Sequence, residues 1–296
     1  MKKTILLTLV LFTQLAFAQE SKKIINLELP LITKHDVIVK HLGYTLSYNE
    51  KHEQANWVAY ELTSSETTKI AERTNDFRPD DAIKTGSATN EDYEGSGYDR
   101  GHLAPAADMG WSTKSMEESF FYSNMSPQVP RFNRGVWKKL EEQVRQWAKD
   151  NQSIYVATGP ILTDNLPTIG PDKVSVPRYY YKVILDYTEP ELKGIGFILP
   201  NASSTLPLQY FAVTIDSVEH LTGINFFPAL PYKQEQAIEK TICVPCWTWT
   251  TTSSKKNHKT KSNTTTVQCS AITKVGNRCK RMTSNASGIC TQHEKQ

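Results

Sequence analysis

The sequence predicts an α+β fold built on a central, mainly antiparallel sheet with flanking helices. Strand-like runs punctuated by turns recur along the chain. A strongly periodic helix stands among them, and the order lacks regular βαβ alternation. Of the 296 residues, 39% are hydrophobic and 22% charged, which describes an ordinary globular protein with enough apolar side chains for a sizeable core.

The elements follow in order. GYTLSYNEKHEQANWVAYELT (Gly43 to Thr63) alternates apolar and polar residues on both sides of a polar turn. That pattern predicts a β-hairpin with Tyr44, Leu46 and Tyr48 on one face and Trp57 to Leu62 in the returning strand. Residues 64–97 are polar and read as a long ordered loop carrying Arg73, Phe77, Arg78, Asp80 and Asp81. A helix is expected to start at Ser112, with acids in its early turns. A stronger helix is expected over Gly135 to Asp150. Its Val136, Trp137, Leu140, Val144, Trp147 and Ala148 recur at spacings of three and four and give one apolar stripe. SIYVATGPIL, RYYYKVILDY and GIGFILPN read as strands, and IDSVEHLTGINFF as a short helix and turn.

The ends differ in character from the middle. MKKTILLTLVLFTQLAFAQE has two lysines, an apolar run from Ile5 to Phe12 and the small-residue ending Ala16-Phe17-Ala18. It reads as a secretory signal peptide cut after Ala18, so a periplasmic or extracellular location is expected, with no membrane attachment of the mature chain. Residues 19–42 form a mixed leader expected to be loosely held, and residues 43–249 the main domain. A Ser/Thr/Lys-rich linker spans 250–267, and a small Cys/His-rich module spans 268–296.

Net charge is +3, but residues 251–296 hold nine Lys/Arg and one acid, and the first 18 residues hold two Lys. The stretch between therefore carries 34 − 9 − 2 = 23 basic and 31 − 1 = 30 acidic residues, or −7. A polyanion partner must be held there by a local patch rather than by the global field. The basic tail adds sequence-independent attraction to phosphates.

All five cysteines lie at or beyond Cys243, so the main domain is expected to fold without disulfides. Cys243 and Cys246 are spaced for a local disulfide, a redox pair or half a metal site. Without a thioredoxin-like context a disulfide or plain thiols are the preferred readings. Cys269, Cys279, Cys290 and His293 make a complete tetrahedral set for structural Zn²⁺, against the alternative of a disulfide-linked or unstructured tail. Arg278, Lys280 and Arg281 beside them would assist nucleic-acid binding or simply form a solvated face.

The residues that carry chemistry begin at YDRGHLAPAADM (Tyr98 to Met109), where Asp99, Arg100, Gly101 and His102 are adjacent. A histidine is a neutral base near physiological pH, and a guanidinium two positions away suits an anion. Asn133 precedes the predicted helix, and Glu141 lies 141 − 133 = 8 residues on, so at ~100° per residue the two share a side with an offset of ~80°. Arg145 is four further along that face. An Asn oxygen with a nearby carboxylate suits a hard, well-hydrated cation such as Mg²⁺. Taken singly, Asn133 is equally an N-cap, and Glu141 with Arg145 an ordinary i, i+4 surface pair.

DRGHLAPAADM and the block WSTKSMEESFFYSNMSPQVPRFNRGVWKKLE resemble the DNA/RNA non-specific endonucleases of the ββα-metal type, a family that includes endonuclease G-like and secreted bacterial nucleases. The resemblance continues through NWVAYELT, ERTNDFRPDD, GFILPN and VEHLTGINFF and covers roughly residues 43–228. It implies a ββα-metal site in which His102 is the general base and Asn133 the direct protein ligand of one Mg²⁺, with Mn²⁺ able to substitute. Glu141 would hold metal-bound water, and Asn124 would support the site. Arg100, Arg145 and Arg73 would act on the phosphate, with Arg78 the alternative to Arg73. Asp99 would orient the turn on which DRGH is expected to lie. It further implies hydrolysis of DNA and RNA, single- or double-stranded, to 5′-phosphorylated products, and it leaves a homodimer open. The rival from another class is a nucleic-acid-binding protein on the same fold that has lost hydrolysis.

Overall fold

The computed structural model describes residues 24–189, 191–250, 267–272, 278–283, 287, 289, 290 and 293. The signal peptide expected over 1–18 and residues 251–266 of the expected linker lie outside the described residues. The chain divides into two units at residue 250.

The strands of the first unit are β1 (Val37–Lys40), β2 (Thr45–Asn49), β3 (Gln54–Thr63), β4 (Asp99–His102), β5 (Met125–Gln128), β6 (Ser153–Pro160), β7 (Thr168–Ile169), β8 (Val174–Ser175), β9 (Tyr179–Asp186), β10 (Lys193–Pro200) and β11 (Ala212–Val213). Its helices are α1 (Asn90–Tyr93), α2 (Thr113–Glu118), α3 (Pro130–Phe132), α4 (Lys138–Asp150), α5 (Ile215–Thr222) and α6 (Tyr232–Lys240). Seven strands form one antiparallel sheet in the order β1-β2-β3-β6-β9-β10-β11. Both faces are covered, which explains why β6 and β9 read as nearly unbroken apolar runs. Along β9, Tyr180, Lys182 and Ile184 alternate with Tyr181, Val183 and Leu185, as a period of two requires. Tyr180 and Ile184 join the core under α4, with Leu140, Val144, Trp147 and Ala148. Tyr181, Val183 and Leu185 join the opposite core, with Ile215 and Val218 of α5 and Ile238 of α6.

The predicted hairpin is β2–β3, with Leu46 opposite Val58. Ser112 caps α2 by accepting from the Ser115 amide. α5 ends where Gly223 takes a left-handed conformation at φ 73°, which glycine adopts without steric cost.

Two expectations are corrected. The leader over 19–42 is not loose where it is described: Leu27 is buried in the core beneath α5 and α6, and Val37–Lys40 is the edge strand β1, paired to β2 from Val37↔Tyr48 to Lys40↔Thr45. Four residues are too few to betray a strand by alternation alone. The helix expected from Gly135 starts earlier, at Pro130. Proline suits a first helical position, because its missing N–H has no intrahelical partner there. Between α3 and α4 the chain makes a π-helical turn over Asn133–Trp137, with Gly135 at φ −110°, ψ −111°. Such wide turns recur at functional sites.

In the second unit, β12 (Val267–Gln268) pairs with β13 (Met282–Thr283), and Ile272 bridges Arg278.

Candidate active site and a Cys/His cluster

DRGH, expected on a turn, is instead strand β4, hydrogen-bonded antiparallel to β5 with His102 opposite Met125 and Gly101 opposite Ser126; four residues gain strand identity only from that pairing. Alternation explains the motif's spacing. Arg100 and His102 project to one side and line a cleft of ≈ 460 Å³. Gly101, between them, lies against Gln128, where an added Cβ would come within 2.2 Å of that side chain. The wide turn after α3 and the first half of α4 supply the facing wall, with Asn133, Arg134, Lys138, Glu141 and Arg145. Arg73 and Pro105 to Ala107 complete it. His102 and Asn133, predicted from sequence to converge, open onto the same cleft. Five cations and one carboxylate line it, a local positive patch on a domain that is negative as a whole.

Each side chain has a defined support. The His102 ring meets Phe120 edge-on at 5.0 Å and lies 5.8 Å from Phe77. Nε2 is buried without a hydrogen-bond partner. Burial first, and the Arg73 charge second, push the imidazole down to about 3, so it is neutral across the physiological range. Asn133 donates from Nδ2 to Asp99 Oδ2 at 2.9 Å, which fixes the amide and leaves Oδ1 as its free acceptor. Asp99 also accepts from Arg134 at 2.8 and 2.5 Å. It orients the turn and does not line the cleft.

Arg145 is bound to the fully buried Asp108 at 2.6 Å, and Tyr60 donates to the other Asp108 oxygen at 2.7 Å. Arg145 is therefore a held cation in the cleft wall. Burial raises Glu141, while Lys182 and Arg145 hold its charged form against that rise. Burial likewise lowers Lys182, whose ammonium has no hydrogen-bond partner and stands 4.9 Å from the Trp137 ring centroid. Arg100 donates to Asn90 and stacks on Phe77 at 4.9 Å. Of the two upstream arginines, Arg73 lines the cleft, 4.9 Å from the Phe120 ring centroid. Arg78 is turned instead to Asp76 and Phe121.

Asn124 does not reach the cleft. It is fully buried behind it, where its amide accepts from the Ala104 N–H at 2.8 Å and donates to the carbonyls of Ala104 and Ser119. That clamps the chain two residues beyond His102. Sequence reasoning missed Asp108, Lys182, Arg134 and Lys138. The signal for Lys182 was a lone charge inside the apolar run YYYKVILDY.

The oxygens of Asn133 and Glu141 form a hard donor set suited to a divalent cation that keeps much of its own water.

In the second unit, one ligand atom from each of Cys269, Cys279, Cys290 and His293 lies within 4.8 Å of the others, a cluster able to hold a metal. His293 Nδ1 is 3.3 Å from Cys290 Sγ and 3.7 Å from Cys269 Sγ. The backbone N–H of Cys290 donates to Cys269 Sγ at 3.2 Å and is the largest of the causes that lower its thiol to about 6. In the first unit, Cys243 and Cys246 are joined by a disulfide, one of the two readings preferred for the pair; the main domain, expected to fold without disulfides, thus carries one short local bridge.

Comparison with known proteins places the chain in a family. Human mitochondrial endonuclease G is 36% identical over 201 residues, covering 63% of this chain and 68% of the human one. A nuclease of Nostoc sp. is 35% identical over 223 residues, covering 71% and 80%. A crystal structure of endonuclease G in complex with its inhibitor EndoGI superposes with a TM-score of 0.66 at 34% identity, covering 71% of this chain and 92% of that one. The DNA/RNA non-specific endonuclease profile matches residues 21–233, so the β1 segment falls inside the match. On that match, and on a central antiparallel sheet shared with endonuclease G, the chain belongs to the DNA/RNA non-specific endonucleases, a family of metal-dependent nucleases.

Proposed function

We propose that this chain is an exported, Mg²⁺-dependent endonuclease that hydrolyses phosphodiester bonds of DNA and RNA to 5′-phosphorylated products. The observation that carries the reading is the opening of His102 and Asn133 onto one cation-lined cleft.

Neutral His102 takes the proton of a water that attacks phosphorus, and the bond to the 3′ oxygen breaks, leaving phosphate on the 5′ side. Burial is the larger cause that lowers the imidazole and the Arg73 charge the smaller; the bound phosphate's negative charge offsets the second, so the proton affinity of His102 rises when substrate is present. Arg73 and Arg100 face the non-bridging oxygens, and Arg145, held by Asp108, adds fixed positive charge in the wall. Asn133 Oδ1 would hold Mg²⁺ directly and Glu141 would hold its water, with Mn²⁺ able to replace it. When bound, the ion neutralises charge on the phosphate and the departing oxygen. Contacts aimed at phosphate read no base, so little sequence preference is expected.

Export is supported by the first 18 residues and by the Cys243–Cys246 disulfide, a bond favoured in oxidising compartments. The Cys/His cluster would hold structural Zn²⁺. A Zn–S distance of ~2.3 Å places tetrahedral ligands roughly 3.5–3.8 Å apart, close to the separations around His293.

The test uses protein lacking residues 1–18. It should degrade plasmid DNA and RNA with Mg²⁺ and stop on addition of EDTA. His102→Ala should keep binding and lose at least ~100-fold in rate. Binding without cleavage by the unaltered protein under varied divalent ions would favour the non-catalytic reading, and equal cleavage by the variant would remove His102 from the mechanism.

A further inference from the structure

The sheet face opposite α4 carries a second group of oxygen ligands, away from the cleft. α5 and α6 pack there over Tyr181, Val183 and Leu185. Asp216 and Glu219 of α5 are three residues apart and share a side of that helix, while Glu239 enters from the last turn of α6. One carboxylate oxygen from each lies within 4.8 Å of the others.

Glu239 makes this more than a patch of acids. It is 2% exposed, and its Oε1 is buried with no hydrogen-bond partner. Buried carboxylate oxygens are ordinarily satisfied, so an orphan aimed into two further carboxylates marks a missing cation or a retained proton. Burial, then Glu219, Glu235 and Asp216, push Glu239 up to about 8. Lys240, the neighbouring cation that opposes this, is exposed and donates to Gln236 at 2.5 Å. Glu219 is already positioned, since its Oε1 accepts from the Phe226 amide at 2.7 Å.

We infer that Asp216, Glu219 and Glu239 form a structural Ca²⁺ site that ties α5 to α6. The donor set is all oxygen and all carboxylate, which excludes a soft-metal preference. Ca²⁺ binds oxygen at about 2.3–2.6 Å, so three oxygens can share one ion when they lie roughly 4.0–4.5 Å apart, a spacing that the 4.8 Å bound on this group allows or that a shift of a few tenths of an ångström reaches, with water filling the remaining positions. Mg²⁺, at about 2.0–2.1 Å and near-octahedral, demands a tighter and more regular arrangement than flexible Ca²⁺ coordination does. The ion would remove the repulsion among three carboxylates and give Oε1 of Glu239 its partner.

The experiment is thermal unfolding and calorimetric titration of the chelator-stripped chain with Ca²⁺ alone, in an Asn133→Ala background so that the cleft contributes no binding. Binding of one ion should raise Tm by at least about 3 °C at millimolar Ca²⁺. Glu239→Gln and Asp216→Asn should each abolish both the heat and the shift. Asp216 is only half-buried, so its variant carries the test if Glu239→Gln fails to fold. No Ca²⁺-dependent shift in the Asn133→Ala chain, or the same shift in both carboxylate variants, overturns the site. Neither result bears on cleavage by the unaltered enzyme, so this inference and the nuclease reading fail separately.

Discussion

Asn133 donates its amide hydrogen to Asp99 at 2.9 Å across 34 residues of chain, joining the wide helical turn to the start of the DRGH strand. Partners of this kind, one step behind a metal ligand, orient it and are worth 10- to 100-fold in metal affinity. Asp99→Ala should therefore raise the Mg²⁺ concentration for half-maximal cleavage by about 10- to 100-fold. The rate at saturating Mg²⁺ should change less. Rates measured across a Mg²⁺ series separate the two effects.

Burial pushes Glu141 up to about 7, and Lys182 is the foremost of the cations that limit the rise. Lys182→Met fills the same volume without the charge, so Glu141 should bind its proton more tightly and compete less well for the metal at acid pH. Apparent Mg²⁺ affinity should fall roughly tenfold at pH 6 and less at pH 8, as read by Mg²⁺ titrations of activity at the two values. An equal loss at both would place the role of Lys182 in packing against Trp137.

His102 binds its proton less readily in the fold than in the unfolded chain, with a folded value near 3 against the ordinary 6.5. Between those values the unfolded state holds more protons, so stability falls as pH falls, by at most about 1.4 kcal/mol per pH unit from this group. His102→Gln removes that contribution. Denaturant unfolding at pH 7.5 and pH 5 should show a smaller acid-side loss in the variant than in the unaltered protein.

The Cys/His cluster predicts a metal separate from catalysis. The chain purified without chelator should contain about one zinc, and Cys290→Ser should lose it. Cleavage by the main domain should change less than about twofold. Elemental analysis beside an activity assay decides this, and a zinc content unaltered by Cys290→Ser would rule the cluster out.

The sequence carried the site further than it carried the fold's edges. The sequence brought Arg100, His102, Asn133 and Glu141 to one site, and all four line the cleft, but by other local geometry than expected: DRGH is a strand rather than a turn, and a π-helical turn rather than a regular helix separates Asn133 from Glu141. β1 could not be read from the sequence, because four residues gain their strand identity only from pairing to β2. Asp108 and Lys182 escaped for a related reason. Their importance comes from side chains brought together by the tertiary fold, Arg145 and Tyr60 for one and Glu141 for the other. Asn124 read as a site residue, and its place behind His102 shows why: a clamp on the segment after β4 is as tied to that strand in sequence as a ligand would be.

Trp247 and Trp249 pack on Trp147 at ring separations of 4.6 and 5.1 Å, and the Trp147 indole donates to the Thr248 carbonyl. Trp147 lies on the same helix as Glu141 and Arg145, so the stretch after the disulfide serves as a strap across the back of α4. A minimal enzyme trimmed where the family likeness stops, at residue 233, would bare that indole and lose most of α6. The smallest piece of this chain that should retain a rigid cutting surface therefore runs through Thr250, where Gln143 accepts from both the backbone and the hydroxyl of that threonine.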